Sequence, residues 1–562
     1  MKKITILLAI GLAFIIKEAS SQSINAGAPV FEEVLRRKQL LGEFDSKVSF
    51  HVRPIKINLS NDGDYYYYYL DFFLLGIKAE INRSSDNTGF SLLPLRNTLA
   101  YNSGRPYGWG NSLMIPNVGL QNYITAGASY ESKWISVRFQ PEFLWAQNKE
   151  YQGYPASFEN EIHRKRFFYW NVGDYPERFG EGFHYRTGLG QSKISVHVGK
   201  IELGASTENI WWGPGLFNAL IFSNNAKGFP HLSLNTRRPA ETFLGTFEGQ
   251  LIIGQLRDSQ LGPSQHKELN ERFFRDFTGD WRYVNGITIS YHPKWINGLF
   301  LGASRTFQNY NNNRGRTFAD WFPIFNGITK ESAGLDLVGE SDQGRDQQIS
   351  IFARYFIPKG KAEMYFEYGR RDHALNWREF VLNPEHARAF LLGFTKLIEL
   401  PQYSGFIQIR GEMTQQQEAI NRIIRNRSGS GLTWHTHSRA RGFAHQGEAL
   451  GVGIGSGSNV QNLEISYVTG LNKFGVLLER LANHQDFYYN AFGLQKERLP
   501  WVDLSLGILL DYQWERLMFS SKFQIIQANN YQWQLTPTST PNLPVGINKI
   551  SNFSQVHLMY LF

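Results

Sequence analysis

Cysteine is absent from all 562 residues, which excludes a disulfide framework, a thiolate nucleophile and any cysteine-ligated zinc or iron–sulfur centre. Charge is scarce too: Asp, Glu, Lys and Arg make up 19% of the chain, so it is neither a disordered segment nor a charged tail. Long apolar runs are also missing. After the N-terminus nothing reaches the roughly 18 uninterrupted apolar residues of a spanning helix; the nearest stretch, residues 65–77 (YYYYYLDFFLLGI), contains Asp71 and is closed by Lys78. What is plentiful is aromatic side chains, at 15%, and glycine, at 53 residues. A weakly charged chain of this kind and length suits one large β structure, apolar on one face and polar on the other.

The N-terminus reads as an address. Lys2 and Lys3 precede an apolar run from Ile4 to Ile16, followed by Ala19-Ser20-Ser21 and Gln22. A basic start, a short apolar core and small residues at a cleavage site are the parts of a secretory signal peptide, assigned here to residues 1–21. Lys17 ends the run too early for a membrane anchor. The formal charge of +9 falls to about +7 once this segment is removed. An exported chain without spanning helices enters a membrane only as a closed β-barrel, which satisfies every backbone polar group internally.

Residues 28–41 (APVFEEVLRRKQLL) place Phe31, Val34, Leu35 and Leu41 at helical spacing, with Pro29 suited to the first turn and Gly42 to the stop. The spacing predicts one short amphipathic helix, within an N-terminal segment spanning residues 22–46, docked on a barrel of residues 47–562. Beyond it the period changes to two. Residues 134–145 alternate Val137, Phe139 and Phe143 with Arg138, Gln140 and Glu142. Residues 348–357 set Ile349, Ile351 and Tyr355 against Gln348, Ser350 and Arg354. Residues 362–368 set Met364 and Phe366 against Glu363 and Glu367, and residues 502–512 set Leu504, Leu506 and Ile508 against Asp503 and Asp511. Such dyads describe strands with one oily and one wet face.

A soluble sandwich also alternates. Here, however, the wet face carries Glu, Arg, Gln and Asp, as a water-filled lumen requires. Aromatics crowd strand ends (Trp134, Trp145, Tyr355, Tyr368, Trp501), like an interfacial girdle. The last strand puts Val556, Leu558, Tyr560 and Phe562 on one face and ends on an aromatic residue, which resembles the insertion signal read by the barrel assembly machinery. At about 30 residues per strand and connection, the mature chain makes 16 to 18 strands; eighteen is the expectation. The class is therefore all-β, a transmembrane antiparallel β-barrel. Residues 87–122, 155–182, 258–282, 309–346 and 415–446 break the alternation and are expected as long external loops.

Residues 204–239 read GASTENIWWGPGLFNALIFSNNAKGFPHLSLNTRRP. Trp211-Trp212-Gly213-Pro214-Gly215, then Ser223-Asn224-Asn225-Ala226, then Phe229-Pro230 resemble the signature of the capsule assembly Wzi family of outer-membrane proteins. Residues 291–302, 434–437 and 450–461 are similar to the same family. The resemblance implies an 18-stranded barrel with a helical portion at the periplasmic side, binding exported polysaccharide and organising the capsule at the cell surface. The chain departs from the family's pattern at its N-terminus, where one helix is legible rather than a bundle. Some members are linked to gliding motility or adhesion.

Each motif has a plainer reading. Trp211 and Trp212 form a rigid turn whose faces suit sugar rings, with Asn209, Asn224 and Asn225 as hydroxyl partners and Trp434 as a further stacking face. Packing inside the lumen is the reading that burial statistics favour for the two tryptophans, and Asn224-Asn225 also suit left-handed turn positions. Arg237 and Arg238 fit acidic sugars or lipopolysaccharide phosphate; pairing with Glu241 or Glu248 is the plainer expectation. His435, His437 and His445, with Glu448, match no zinc spacing, so no metal and no cofactor is expected. Gly451, Gly453, Gly455 and Gly457 open no phosphate loop and instead relieve crowding or let the chain bend. Glu363 with Glu367, or Asp503 with Asp511, offers paired carboxylates for glycoside hydrolysis, yet an aqueous lumen shows such pairs anyway, and no GxSxG or HExxH motif is present.

The function expected is therefore a non-enzymatic outer-membrane barrel of a diderm bacterium that binds a surface or capsular polysaccharide, anionic in keeping with its own positive charge. Its surroundings would be outer-membrane lipid and lipopolysaccharide, its assembly would use the barrel machinery, and nucleic acid is no partner. A saccharide channel and an adhesion or gliding component are the alternatives.

Overall fold

The alternating segments close on themselves. In a computed structural model, residues 21–58, 89–329, 344–371, 376–418, 433–493 and 498–562 are described; the expected signal peptide, up to residue 20, and the apolar run at residues 65–77 lie outside them. Eighteen antiparallel strands form one closed barrel. The first, Gly89–Asn102, pairs with the last, Lys549–Tyr560, from Leu95↔Tyr560 to Asn102↔Phe553. Three strands are interrupted: Ile135–Phe139 with Glu142–Ala146, His184–Gly188 with Lys193–Val198, and His231–Thr236 with Ala240–Glu241.

Exposure is inverted relative to a soluble protein. Ile351 is 55% and Leu506 54% exposed, whereas Arg354 and Asp503 are 0% exposed. Apolar side chains out and polar side chains in is the arrangement lipid demands. Tyr130, Trp134, Trp295, Tyr355, Tyr403 and Trp514 lie exposed around the end carrying the short turns, and Phe183, Tyr185, Trp321 and Trp377 around the other, two aromatic girdles. Trp501, expected in a girdle, is instead buried inside the barrel. Among the described residues no helix is long and apolar enough to cross a membrane.

Turns as short as residues 199–200, 470–471 and 515–516 gather at one end; connections as long as residues 147–183 and 257–281 gather at the other. In barrels of this kind the short turns are periplasmic and the long loops external. The loop expected at residues 87–122 is a correction: it contains the first barrel strand, whose dyad is hidden by Pro94 and a register shift between Leu93 and Arg96.

The lumen is occupied from both ends. At the short-turn end sits the helix Phe31–Leu40, stopped where Gly42 takes φ +76°, a left-handed position that glycine occupies without strain. Phe31, Val34 and Leu35 pack with Leu471, Met518, Met559 and Leu561, and Leu40 with Phe300, Phe356 and Leu397. Its polar face is tied to the wall. The Arg36 Nε donates to Glu363 at 3.0 Å and its Nη1 to the Pro214 carbonyl at 2.7 Å; Arg354 also donates to Glu363, at 2.7 Å. Burial by itself would raise the Glu33 pKa, but Arg410, Lys473 and Arg37 outweigh it and hold that carboxyl well below the usual carboxylate range.

From the long-loop end, residues 207–230 descend to meet this segment: Trp211–Trp212 pair antiparallel with Val52–Arg53. Wall carboxylates fix the descending loop. Glu412 accepts from the backbone N–H groups of Leu216, Phe217 and Asn218 at 2.7, 3.1 and 2.8 Å, and Glu367 from Leu220 at 3.3 Å. The glycine-alternating stretch packs on the same loop: a Cβ on Gly451 would lie 2.1 Å from the Leu220 carbonyl oxygen, so here glycine permits close backbone approach.

Candidate functional site

At the external end three loops supply aromatic side chains to one place. The helix Asn160–Trp170 contributes Arg166, Phe167 and Trp170; the helix Gln485–Phe492 contributes Phe487; the turn Tyr531–Trp533 contributes both of its rings. They pack as one cluster with Tyr154 and Trp501, as tilted and edge-on rings do. The Arg166 guanidinium lies 4.4 Å over Trp170 and 5.1 Å over Phe487, a cation–π seat. Burial lowers its pKa to about 10, which leaves it charged at neutral pH.

This cluster forms one side of a cavity of about 240 Å³. Tyr107, Trp109, Trp170, Tyr175, Trp501 and Tyr531 give it flat apolar walls; Glu177, His435, Glu448, Asn483 and His484 give it polar corners. The Arg166 Nε, His435 Nδ1, Ser456 Oγ and Gln532 Oε1 are buried there without a hydrogen-bond partner among the described residues. Such atoms are free to bond the polar atoms of a molecule held in the cavity. Burial pushes His435 down to about 4 and His484 well below the usual imidazole range; both are neutral rings at physiological pH. Burial raises Glu448 to about 7 against the pull of Arg186, which donates to it at 2.9 Å. Glu177, also raised by burial, accepts from the Tyr154 N–H at 2.7 Å. Flat rings opposite hydrogen-bonding corners suit a molecule with apolar faces and hydroxyl edges.

The residues singled out in the sequence lie elsewhere in the barrel. Trp212 is fully buried; its Nε1 donates to Gln250 at 2.7 Å and its ring meets Phe222 edge-on at 4.8 Å. Trp211 is buried beneath the Arg53 guanidinium at 4.9 Å. Trp434 is fully buried, donating to the Leu220 carbonyl at 3.2 Å. None of the three offers a face to solvent, which fits the packing reading given for Trp211 and Trp212. Asn209 donates to the Ala226 carbonyl at 2.7 Å and accepts from Ser112 and Gln191. Asn225 borders the external cavity, yet its amide is engaged by the Gly110 N–H at 3.0 Å and the Ala449 carbonyl at 2.9 Å. Asn224 donates to the Gly110 carbonyl and lines a second, lower cavity.

Arg237 and Arg238 follow a strand that descends to the short-turn end, away from the cell exterior. Arg237 pairs with Glu131 and Glu202 rather than with the expected Glu241 or Glu248, because strand register sets its neighbours; Arg238 is exposed. Leu558, Tyr560 and Phe562 face outward and Val556 is half-buried. His435, His437 and His445 each bond to backbone, at Val452, Ala440 and Arg257. Glu363 is held between two arginines and Glu367 anchors the descending loop, so neither carboxylate stands open to a glycosidic bond.

Sequence reasoning missed the aromatic cluster at the external end. Its signal was present as aromatic residues inside stretches expected as external loops, such as residues 164–170 (RKRFFYW).

A closed barrel with an oily exterior, a lumen that described residues enter from both ends and an aromatic, polar-cornered cavity at its long-loop end defines an outer-membrane type of β-barrel. The chain belongs to the capsule assembly protein Wzi family, whose profile matches residues 84–529. Among solved structures it is similar to Wzi of Escherichia coli, described as an outer membrane protein involved in group 1 capsule assembly and a carbohydrate-binding β-barrel. Identity is 12%, the match covers 96% of this chain and 100% of that one, and the TM-score is 0.57. Lower scores relate it to OccK8 (OprE) of Pseudomonas aeruginosa, at 10% identity, 84% and 97% coverage and TM-score 0.39. A BenF-like porin of Pseudomonas fluorescens Pf-5 follows, at 8% identity, 84% and 97% coverage and TM-score 0.36. No curated protein sequence matches the chain.

Proposed function

We propose that this outer-membrane barrel binds capsular polysaccharide at its external end and supports the assembly and attachment of the capsule. The observation that carries the reading is the aromatic-walled cavity among the external loops of a Wzi-family barrel. At about 240 Å³ it is smaller than the roughly 300–1,000 Å³ of drug-sized sites, a size for one sugar residue at a time. Repetition along the polymer then raises the effective affinity of each weak contact.

The surroundings follow from the same reading. Residues 1–21 are removed on export, the terminal face of Val556, Leu558, Tyr560 and Phe562 guides insertion by the barrel assembly machinery, and membrane lipid with lipopolysaccharide surrounds the girdles. The role is binding rather than catalysis, supported by the engagement of Glu363 and Glu367 within the fold. A packed lumen weighs against a passive saccharide channel.

Deleting the gene should release capsule into the medium while its synthesis continues; a mutant that keeps all its capsule on the cell refutes the role. Defective spreading with normal capsule would instead favour the adhesion or gliding reading. A second expectation concerns pH. Because burial raises Glu448 to about 7, its carboxylate is the ionised, stronger acceptor only above that value. Polysaccharide affinity of the detergent-purified protein should therefore rise between pH 6 and pH 8 by about fivefold, the worth of about 1 kcal/mol of hydrogen bonding. Glu448→Gln should flatten the profile, and an unchanged slope in that variant excludes Glu448.

A further inference from the structure

Below the external cavity, and separated from it by Trp109, Asn111 and Met114, lies a second cavity of about 330 Å³. Its floor is the N-terminal segment from Ile24 to Phe31, its roof residues 109–114 with Asn224, and its wall the barrel itself. Floor and roof interlock: a Cβ on Gly27, at φ +68°, would lie 1.8 Å from the Asn224 side chain.

Three of four successive strands lose their regular pairing around this one space. The first strand shifts register between Leu93 and Arg96. The strand of Ile135–Phe139 breaks at Gln140-Pro141 before Glu142–Ala146. The strand of His184–Gly188 breaks before Lys193–Val198, with an isolated bridge from Gly190 to Gln140. Each irregularity delivers side chains into the cavity: Arg96, then Gln140 and Glu142, then Gln191. Interruptions of a ladder re-aim side chains and concentrate next to sites; three that converge on one cavity describe a built site.

Its chemistry is cationic on one side. Arg96 and Lys522 line it together with His557, whose ring shares a hydrogen bond with Thr98 at 2.8 Å. Arg96 lies 4.7 Å over the Tyr123 ring, and Lys522 lies 5.0 Å over Phe553. Among the described residues the Arg96 Nε has no hydrogen-bond partner. Of the nearby acids, Glu142 accepts from Tyr123 at 2.7 Å and Gln191 at 2.9 Å, and Glu479, which accepts from Tyr107, also attracts Lys522, so Arg96 is the less compensated of the two cations. Amides and hydroxyls of Thr98, Asn111, Thr125, Gln140, Asn224 and Gln555 complete the lining.

We propose that this lower cavity is a second saccharide subsite, selective for a carboxylate-bearing sugar whose anion is received by Arg96, Lys522 and His557. It rests on the reading of the protein as a polysaccharide-binding barrel. It also adds to that reading: the external cavity selects a sugar by shape and stacking, and the lower one selects by charge.

The test uses the full chain in detergent, with D-glucuronate as probe, D-glucose as neutral control and inorganic phosphate as competitor, followed by titration calorimetry. Glucuronate should bind in a salt-sensitive manner and glucose should not. Arg96→Gln with Lys522→Gln should weaken glucuronate by about tenfold or more, the loss of charge-assisted hydrogen bonds. Glu142→Gln should strengthen it, an opposite sign that misfolding cannot mimic. Equal affinity for glucose, unchanged glucuronate binding in the double variant, or displacement by phosphate at equal affinity overturns the proposal. If capsular polysaccharide binds while glucuronate does not, the lower subsite fails and the broader reading stands; if neither binds, the broader reading fails.

Discussion

Replacing Glu363 by glutamine should undock the N-terminal helix from the barrel. The carboxylate accepts from Arg36 on the helix at 3.0 Å and from Arg354 on the wall at 2.7 Å, with Thr395 as a third donor at 3.0 Å. Arg354 and Glu363 side chains are 0% exposed and Arg36 is 3% exposed. Removing the anion leaves two buried guanidinium groups facing one another. Breaking a buried pair from one side costs about 3–5 kcal/mol, because the remaining charge is uncompensated; here that becomes a rise of roughly a hundredfold or more in the undocked population. Arg36, Arg37 and Lys38 are buried in the docked helix, so limited trypsin digestion reads the change directly, and current across a planar bilayer should rise with it. Wild-type resistance to trypsin in the variant would sink the argument. Acid should act more weakly. Since neighbouring cations hold Glu33 below its ordinary value of 4.5, its contribution is fully present above pH 4.5 and is lost only as the pH falls through the lowered value. The plug should therefore survive at pH 5.

The contrast between what the sequence showed and what it concealed follows from the range of the contacts. Outward Leu504, Leu506 and Ile508 against inward Asp503 and Ser505 is a purely local pattern, fixed by strand geometry, and so the barrel was legible, while its strand number came from chain length. Helical spacing likewise found the helix at Phe31–Leu40. The first strand was hidden because Pro94 and the neighbouring shift destroy the period that reveals a strand. The Trp-Trp-Gly-Pro-Gly block was visible, but whether its rings meet ligand or protein is decided by Val52–Arg53, Gln250 and Gly286, all distant in sequence. The external cavity draws Tyr107, Trp170, Trp501 and Tyr531 from four separate connections, which no period joins. Arg237 illustrates the same limit: its charge suggested an external ligand, while strand direction puts it at the other end beside Glu131.

Trp212→Ala should loosen the lumen while leaving the barrel wall intact. The indole is 0% exposed, packs edge-on against Phe222 and donates to Gln250. The wall has made room for it: a Cβ on Gly286 would lie 2.9 Å from its ring. Truncation removes a large buried ring and leaves the Gln250 oxygen without its donor, in a core whose walls are held by a closed strand ladder and so collapse poorly. Trp-to-Ala changes in cores cost about 3–5 kcal/mol, and the orphaned acceptor adds about 1–3 kcal/mol. The loss falls on the descending loop, because eighteen strands paired around a closed circuit do not depend on one lumenal ring. The expected result is unchanged β-type circular dichroism together with faster protease cleavage within residues 207–230 and a rise in single-channel conductance. Trp212→Phe, which retains most of the apolar volume, should lie between the variant and wild type. If Trp212→Ala instead abolishes assembly of the barrel, the loop is part of the folding core rather than a plug placed within it.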